Sequence, residues 1–538
     1  MARDSVGVIF GKTGTHDFRF AVPDSTLVKR TDYVKVWHES DGWTLAQVMS
    51  MTRSSDDFKL DQAADAAGGA NIESPDSKLV AEAMVIGGRD QNGLLRSPRT
   101  PFSPGDKVFI ADHDLIRNTL GLSHGEVNMG LLEGHDIKVS LEMNSLIQKH
   151  CSILAKTGSG KSYTAGVILE EILEHDIPLL IIDPHGEYSS LKEPGTDDTR
   201  DLYKKFGISP RGYGSQVTVY TPANKVLNKD ADKVFRLDGM NLGAKDLMQI
   251  LPDEKSNNQQ GLLYEAISTI KAEKESYALD DIIFEVGNNK SKLKWNVISS
   301  LESLREADIL SDHPTTIEEL FTPGQASIID MKGVPPSLQG MLVAKLCSDL
   351  FEARKMEKVP PGMLVIEEAH NFCPERGFDK TVSTEILRTI ASEGRKFGLG
   401  MMVISQRPAR IDKNVLSQCN TQIIMKVTNP NDLKAISKGL EGISSEVEEE
   451  LKRLPPGVAM LVSNDIERPV LVDIRVRKSK HGGESVTISR PSAARHRAPA
   501  KLSGTTPELA PGPAPRKETP ARKREVGGLF KKVFGSGK

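Results

Sequence analysis

The sequence predicts an α/β fold preceded by a small β domain and followed by a basic tail, and three observations predict it. Short apolar runs alternate with helical stretches through the middle of the chain. Runs with period-two alternation dominate its start, and Pro, Ala, Ser and Arg dominate its end. With 538 residues and 38% hydrophobic content, the chain is long enough for several cores, and 5% aromatics makes those cores aliphatic.

Residues 1–115 read as a small β-barrel. Runs such as Thr31-Asp-Tyr-Val-Lys-Val-Trp37 and Lys107-Val-Phe-Ile110 lie between Gly, Pro and Asp turns. Closing short strands into a barrel removes their edges. The polar, Ala/Gly-rich stretch 60–77 is expected to be a surface loop. Residues 116–236 and 313–476 form the α/β core. Its buried strands are legible at 179–183, 326–330, 363–367, 400–405, 421–425 and 458–462, which predicts a mainly parallel sheet covered on both faces. Between 237 and 312 the strand signal gives way to helical periodicity at 260–272 and 295–307, which predicts a helical insertion.

From 477 to 538 fifteen Lys/Arg face four Asp/Glu, a net of +11, which leaves −14 for residues 1–476 out of the total of −3. An acidic body with a basic, Pro/Ala-rich tail predicts a disordered interaction arm. Near its end Leu529, Phe530, Val533 and Phe534 would share one face of a short docking helix, with Lys531 and Lys532 opposite. No apolar run reaches the ~18–20 residues of a membrane span, so no stable membrane insertion and a cytoplasmic location are expected. Cys151, Cys347, Cys373 and Cys419 are widely spaced, which argues against a disulfide framework or a structural zinc site.

The chemistry concentrates at Ala155-Lys-Thr-Gly-Ser-Gly-Lys161-Ser162, preceded by the apolar Ser152-Ile153-Leu154 and followed by helical spacing of Val167, Ile168, Ile172 and Leu173. Strand, Gly-rich loop and helix in that order make a phosphate-binding loop. Backbone N–H groups of Lys156, Thr157, Gly158, Ser159 and Gly160 would cradle phosphates. Lys161 would reach the β and γ oxygens, Ser162 would ligate Mg²⁺, and Tyr163, directly after it, is a further nucleotide-binding candidate. Ala155 replaces the first Gly of the motif.

Hydrolysis needs acids at carboxyl ends of neighbouring strands. Met363-Leu-Val-Ile-Glu367-Glu368-Ala-His370 supplies Glu367 to help hold Mg²⁺ and Glu368 to polarise water. Glu367 stands where Asp is usual. Asp183 ends the strand after the phosphate-loop helix and could face the metal or the water. Gln406 closes the strand before it and could sense a γ-phosphate. Asp183-Pro-His-Gly186 also fits a GTPase switch, but no guanine-specificity motif accompanies it, so ATP is the expected nucleotide. Arg395, at the end of an expected helix, is a candidate finger for the site of an adjacent subunit, which implies an oligomer.

Taken with the β domain, the segments Lys156 to Ser162, Ile182-Asp-Pro-His-Gly-Glu-Tyr188, Val365-Ile-Glu-Glu-Ala-His-Asn-Phe372, Glu393-Gly-Arg-Lys-Phe-Gly398 and Ser405-Gln-Arg-Pro408 resemble the archaeal HerA DNA translocases of the FtsK/HerA branch. The likeness spans residues 5–475. It implies a HerA-type barrel, a RecA-like motor with a helical insertion, a hexamer on double-stranded DNA, and partnership with a NurA-type nuclease in end resection. It places roles on Lys161, Ser162, Asp183, Glu367, Glu368, Gln406 and Arg395, and puts at Lys149 a basic residue acting at the nucleotide. The loop 375–380 could reach the pore through Arg376 and Lys380. Competing expectations are a membrane-associated pump of the conjugation and secretion type, and a nucleotide-gated scaffold for a nuclease.

Overall fold

The computed structural model describes residues 5–55, 67, 77–122, 125–196, 200–223, 225–251, 256–378, 381–439 and 445–482. The loop expected at 60–77 lies almost wholly outside them, as do Lys380, the tail beyond Gly482 and its motif at 529–534.

Strands β1 (Gly7–Ile9), β2 (Asp17–Val22), β3 (Tyr33–His38), β4 (Gly42–Ser54), β5 (Lys78–Arg89), β6 (Leu95–Arg96) and β7 (Lys107–Ile110) pair antiparallel in the order β2-β1-β7-β3-β4-β5-β6. Because β5 also pairs with β2, six of them close into a barrel. Alternation gives the barrel its inner face: in Asp17-Phe-Arg-Phe-Ala-Val22 every second residue is buried. Phe18, Phe20, Val34, Val36, Val48, Val85, Phe102 and Val108 fill the interior.

The second sheet is built from β8 (Val127–Leu132), β9 (Lys138–Leu141), β10 (Cys151–Leu154), β11 (Leu179–Asp183), β12 (Val217–Thr221) and β13 (Lys233–Val234). After the short pair β14 (Leu237–Asp238) and β15 (Leu310–Ser311) come β16 (Ala326–Asp330), β17 (Gly362–Ile366), β18 (Leu399–Ser405), β19 (Thr421–Ile424), β20 (Val458–Val462) and β21 (Val470–Ile474). The order is β13-β12-β16-β11-β17-β18-β10-β19-β20-β21-β8-β9, parallel from β13 to β19 and antiparallel beyond. Successive residues of the parallel strands serve opposite faces. Leu364, Ile366, Met401 and Val403 pack with Leu342, Leu346 and Leu387 on one side. Met363, Val365, Met402 and Ile404 pack on the other side with Val167, Ile168 and Ile172 of the helix Lys161–Glu174.

Between β14 and β15 the chain forms the helices Ala244–Ile250, Asn257–Glu273, Leu279–Asn288 and Lys294–Glu306. The pairing of Leu237 with Leu310 ties the two ends of this segment together. Leu263, Ile267, Ile282, Val286, Val297 and Leu301 join it to the core on that side of the sheet.

Composition assigns residues from 477 onward to the tail, but the chain stays pinned as far as Lys480. Glu170 and Glu171, which helical periodicity alone would leave facing water, are buried beneath this segment. Arg475, fully buried, donates to Glu170 at 2.9 Å, to Glu171 at 2.7 Å and to the Val167 carbonyl at 3.0 Å. Ser479 donates to Glu170 from its N–H and from its hydroxyl, and Lys478 bridges Glu171 and Glu174. A β-carbon on Gly166 would stand 2.6 Å from the Arg477 guanidinium carbon, so glycine there makes room for the strap.

Candidate functional site

Parallel register brings the chemistry to one edge of the sheet. Leu154 pairs with Ser405, Ile366 with Val403 and Ile182, and Asp183 with Asp330. The phosphate loop, Asp183, Asp330, Glu367 and Gln406 therefore all stand at carboxyl ends. Strand β18, between β10 and β17, sets Gln406 between the loop and the two glutamates.

The loop turns through Gly158 at φ 76° and Gly160 at φ 96°, a region that costs other residues a clash. Ala155 is not among the residues with positive φ, so the motif's irregular position needs no glycine. Its N–H donates to Ser405 O at 3.2 Å. The loop is fastened to the end of β19: Lys156 N–H donates to Lys426 O at 2.9 Å and the Ser159 hydroxyl to the same carbonyl at 3.4 Å. A β-carbon on Gly160 would meet Met425 Cε at 3.2 Å. Ser162 is half-buried at the start of the helix.

Lys161 is buried and its ammonium contacts Glu367 Oε1, with Glu368 Oε1 at 3.2 Å. Glu367 is fully buried, and its second oxygen accepts from the Tyr188 hydroxyl at 2.5 Å. Burial raises the Tyr188 pKa well above the usual phenol value, so it keeps the proton it donates. Glu368 takes the left-handed conformation, φ 50°, a strain of about 1–3 kcal/mol for a side chain with a β-carbon. Its Oε2 is buried without a hydrogen bond. His370 Nδ1 lies 3.2 Å from that oxygen but is engaged with the Ser405 hydroxyl at 2.9 Å, and burial lowers the His370 pKa. The Thr157 hydroxyl contacts Gln406 Oε1, linking the loop to β18.

Three of the expected site residues sit differently. Asp183 is buried with its carboxylate turned into its own turn, where Oδ1 accepts from the N–H of His185 at 3.2 Å and of Gly186 at 2.9 Å, and Oδ2 from Tyr188 at 3.0 Å. Burial, with the Asp330 carboxylate adding to it, pushes the Asp183 pKa up to about 7. The Tyr163 hydroxyl accepts from the Arg477 N–H at 2.8 Å and its ring packs against His481, with centroids 5.3 Å apart. Lys149 precedes β10 and so lies about 15–20 Å of extended chain from the phosphate loop. Its ammonium is 3.8 Å from Asp465.

Arg395 is exposed in the short helical turn Gly394–Phe397 that leads into the amino end of β18, the edge opposite the loop. His150, at φ 51°, joins that corner to β10 by bonding Ala391 O at 3.1 Å and accepting from Met401 N–H at 2.9 Å. Sequence reasoning missed Tyr188, Lys426 and the strap. Tyr188 closed a motif in plain view, but its partner is 179 positions away.

Donor chemistry fits a hard cation shared with a triphosphate: a half-buried hydroxyl and two carboxylates, one of which has a buried oxygen without a hydrogen bond. Among the described residues no group of three or more His, Cys, Asp or Glu could hold a metal by itself.

Residues 127–350 match the family described as Helicase HerA, central domain. The chain is 27% identical, over an alignment of 558 positions including gaps, to the DNA double-strand break repair helicase HerA of Pyrococcus furiosus, covering 90% of this chain and 96% of that one. It is 26% identical over 414 residues to the protein of the same name from Sulfurisphaera tokodaii, covering 74% and 78%. Among solved structures it is similar to VirB4 of Thermoanaerobacter pseudethanolicus, with a TM-score of 0.45, 15% identity, and 65% of this chain and 96% of that one covered.

Proposed function

We propose that this chain, a HerA-type P-loop ATPase by its central domain, works as a ring on double-stranded DNA and prepares broken ends for a nuclease of the NurA type. It is an enzyme of the ATP-dependent helicase and translocase class. The observation that carries the reading is the meeting of Lys161, Glu367 and Glu368 at one sheet edge beside Gln406 and the phosphate loop.

In this reading ATP enters along the loop. Lys161 exchanges its carboxylate partners for β and γ oxygens, which frees Glu367. Ser162 and Glu367 would hold Mg²⁺, which neutralises charge on the transferring phosphate. Tyr188 keeps Glu367 oriented once Lys161 has left. Glu368, strained and with a free oxygen, accepts a proton from the attacking water, and His370 lines its other side. Thr157 and Gln406 register the γ-phosphate and pass its loss to β18. Asp183 acts through the turn that carries Tyr188.

Arg395 cannot serve its own loop, since the two lie at opposite ends of the parallel strands. It serves a neighbour's loop in a head-to-tail interface, the kind that closes into a ring, and Lys149 stands on the same edge. A hexamer on duplex DNA needs only a few cations per subunit toward the phosphates, so the acidic body is no obstacle. The test compares wild type with Glu368→Gln, which keeps shape and removes the base. The expected result is intact ATP binding with turnover at least about 100-fold lower. Equal and negligible turnover in both proteins would mean a nucleotide-gated scaffold instead.

A further inference from the structure

The helical segment between β14 and β15 is acidic everywhere but at one tip. From 237 to 312 it holds fourteen Asp/Glu and eight Lys/Arg, yet no acid occurs between Glu285 and Glu302, and Lys290, Lys292 and Lys294 crowd into five residues there. These lysines occupy the turn between the helices Leu279–Asn288 and Lys294–Glu306. The turn is built rather than loose: Ser291 N–H donates to Asn289 Oδ1 at 2.9 Å, Leu293 N–H to the Ser291 hydroxyl at 3.2 Å, and Lys294 Nζ to Gly287 O at 2.7 Å. Asn289 and Asn288 take up the nearby carboxylates of Glu265 and Glu285, at 3.1 Å and 3.5 Å. Among the described residues none of the three lysines has a carboxylate within ion-pair distance.

Apolar surface accompanies the charge. Trp295, in the first turn of its helix, is 67% exposed, and Phe284, within about a turn of the preceding helix's end, is 71% exposed. Both residues lie outside the packing that holds the segment to the sheet, which uses Ile282, Val286, Val297 and Leu301. Lys294 Nζ lies 5.5 Å from the Trp295 ring centroid, and an exposed indole beside Lys290 and Lys292, which have no carboxylate partner among the described residues, has the chemistry of a nucleic-acid contact, with ammonium groups for phosphates and the exposed ring for a base face.

We infer that this tip, Lys290, Lys292 and Trp295, binds a DNA strand outside the sheet's nucleotide edge, with its phosphates on the lysines and an unpaired base on the indole. The inference rests on the DNA-motor reading and adds to it a contact on the helical segment that handles a frayed or single strand while the ring holds duplex.

The probe is oligothymidylate, added to full-length protein carrying Trp37→Phe and Trp43→Phe, so that Trp295 is the only remaining one of the three tryptophans. The expected result is quenching of Trp295 emission on binding. Trp295→Ala should weaken affinity by about 5- to 150-fold. Lys290→Glu with Lys292→Glu should lower the slope of log affinity against log salt by about 1.4. Melting curves of the variants check that they fold. Binding by the protein carrying Trp37→Phe and Trp43→Phe with unchanged emission, and position 290, 292 and 295 variants of unchanged affinity, overturn the inference and leave the tip as a solvated or protein-facing surface. If wild type binds no DNA, and duplex fails to raise its ATP turnover, the DNA-motor reading itself fails and takes this inference with it.

Discussion

Tyr188→Phe isolates one hydrogen bond at the centre of the site. The ring is fully buried and only its hydroxyl reaches Glu367, at 2.5 Å, so phenylalanine keeps the packing and removes the donor. Bonds to charged acceptors contribute about 1.5–3 kcal/mol, which converts to about 10- to 150-fold in rate if the loss falls on the turnover step. It should fall there, because Lys161 and the loop backbone bind phosphates without Tyr188, while Glu367 depends on it once Lys161 has moved to the nucleotide. Steady-state ATP hydrolysis across a Mg²⁺ titration measures this. The expected result is kcat down by that factor, a higher Mg²⁺ concentration for half-maximal rate, and ADP affinity within about twofold of wild type. A melting curve confirms that the variant is folded at the assay temperature. Wild-type kcat with an unchanged Mg²⁺ requirement would refute the positioning role.

Arg475→Met leaves Glu170 buried with its main cation gone, and should destabilise the protein by about 3–5 kcal/mol in chemical denaturation. Arg395→Ala should leave the oligomer intact by light scattering and lower its ATP turnover by about 10³-fold or more, with nucleotide affinity little changed. For Asp183, a folded pKa raised to about 7 against an ordinary 3.8 means that the folded state holds a proton which the unfolded chain releases. Its contribution to stability is therefore fullest below about pH 4 and is lost as pH rises to about 7. The stability of wild type relative to Asp183→Asn should fall between pH 4 and 7 in denaturant titrations, and a flat difference would contradict the assignment.

Period-two alternation made the barrel strands legible, and the parallel strands showed as uninterrupted apolar runs such as Leu179-Leu-Ile-Ile ahead of Asp183. The loop was readable because Gly158 and Gly160 mark positive φ and because Lys161-Ser162 opens a helix. Other contacts join residues hundreds of positions apart. Glu170, Glu171 and Glu174 look solvated in a helical projection, but Arg475 and Lys478 arrive on them more than 300 residues later, and Tyr213 and Arg211 also hold Glu174. Asp183 was visible as an acid at a strand end, but which way its carboxylate turns depends on the N–H groups of His185, Gly186 and Tyr188. Lys149 and Arg395 stood out as cations near motifs. Strand direction puts both on the edge away from their own loop.

The proposed DNA-driven motor is tested by ATP turnover of the wild-type oligomer with and without linear duplex DNA. Turnover should rise severalfold with duplex and return to the basal rate as salt displaces the DNA. Turnover that is the same with and without duplex, by an oligomer shown to hydrolyse ATP, would contradict it.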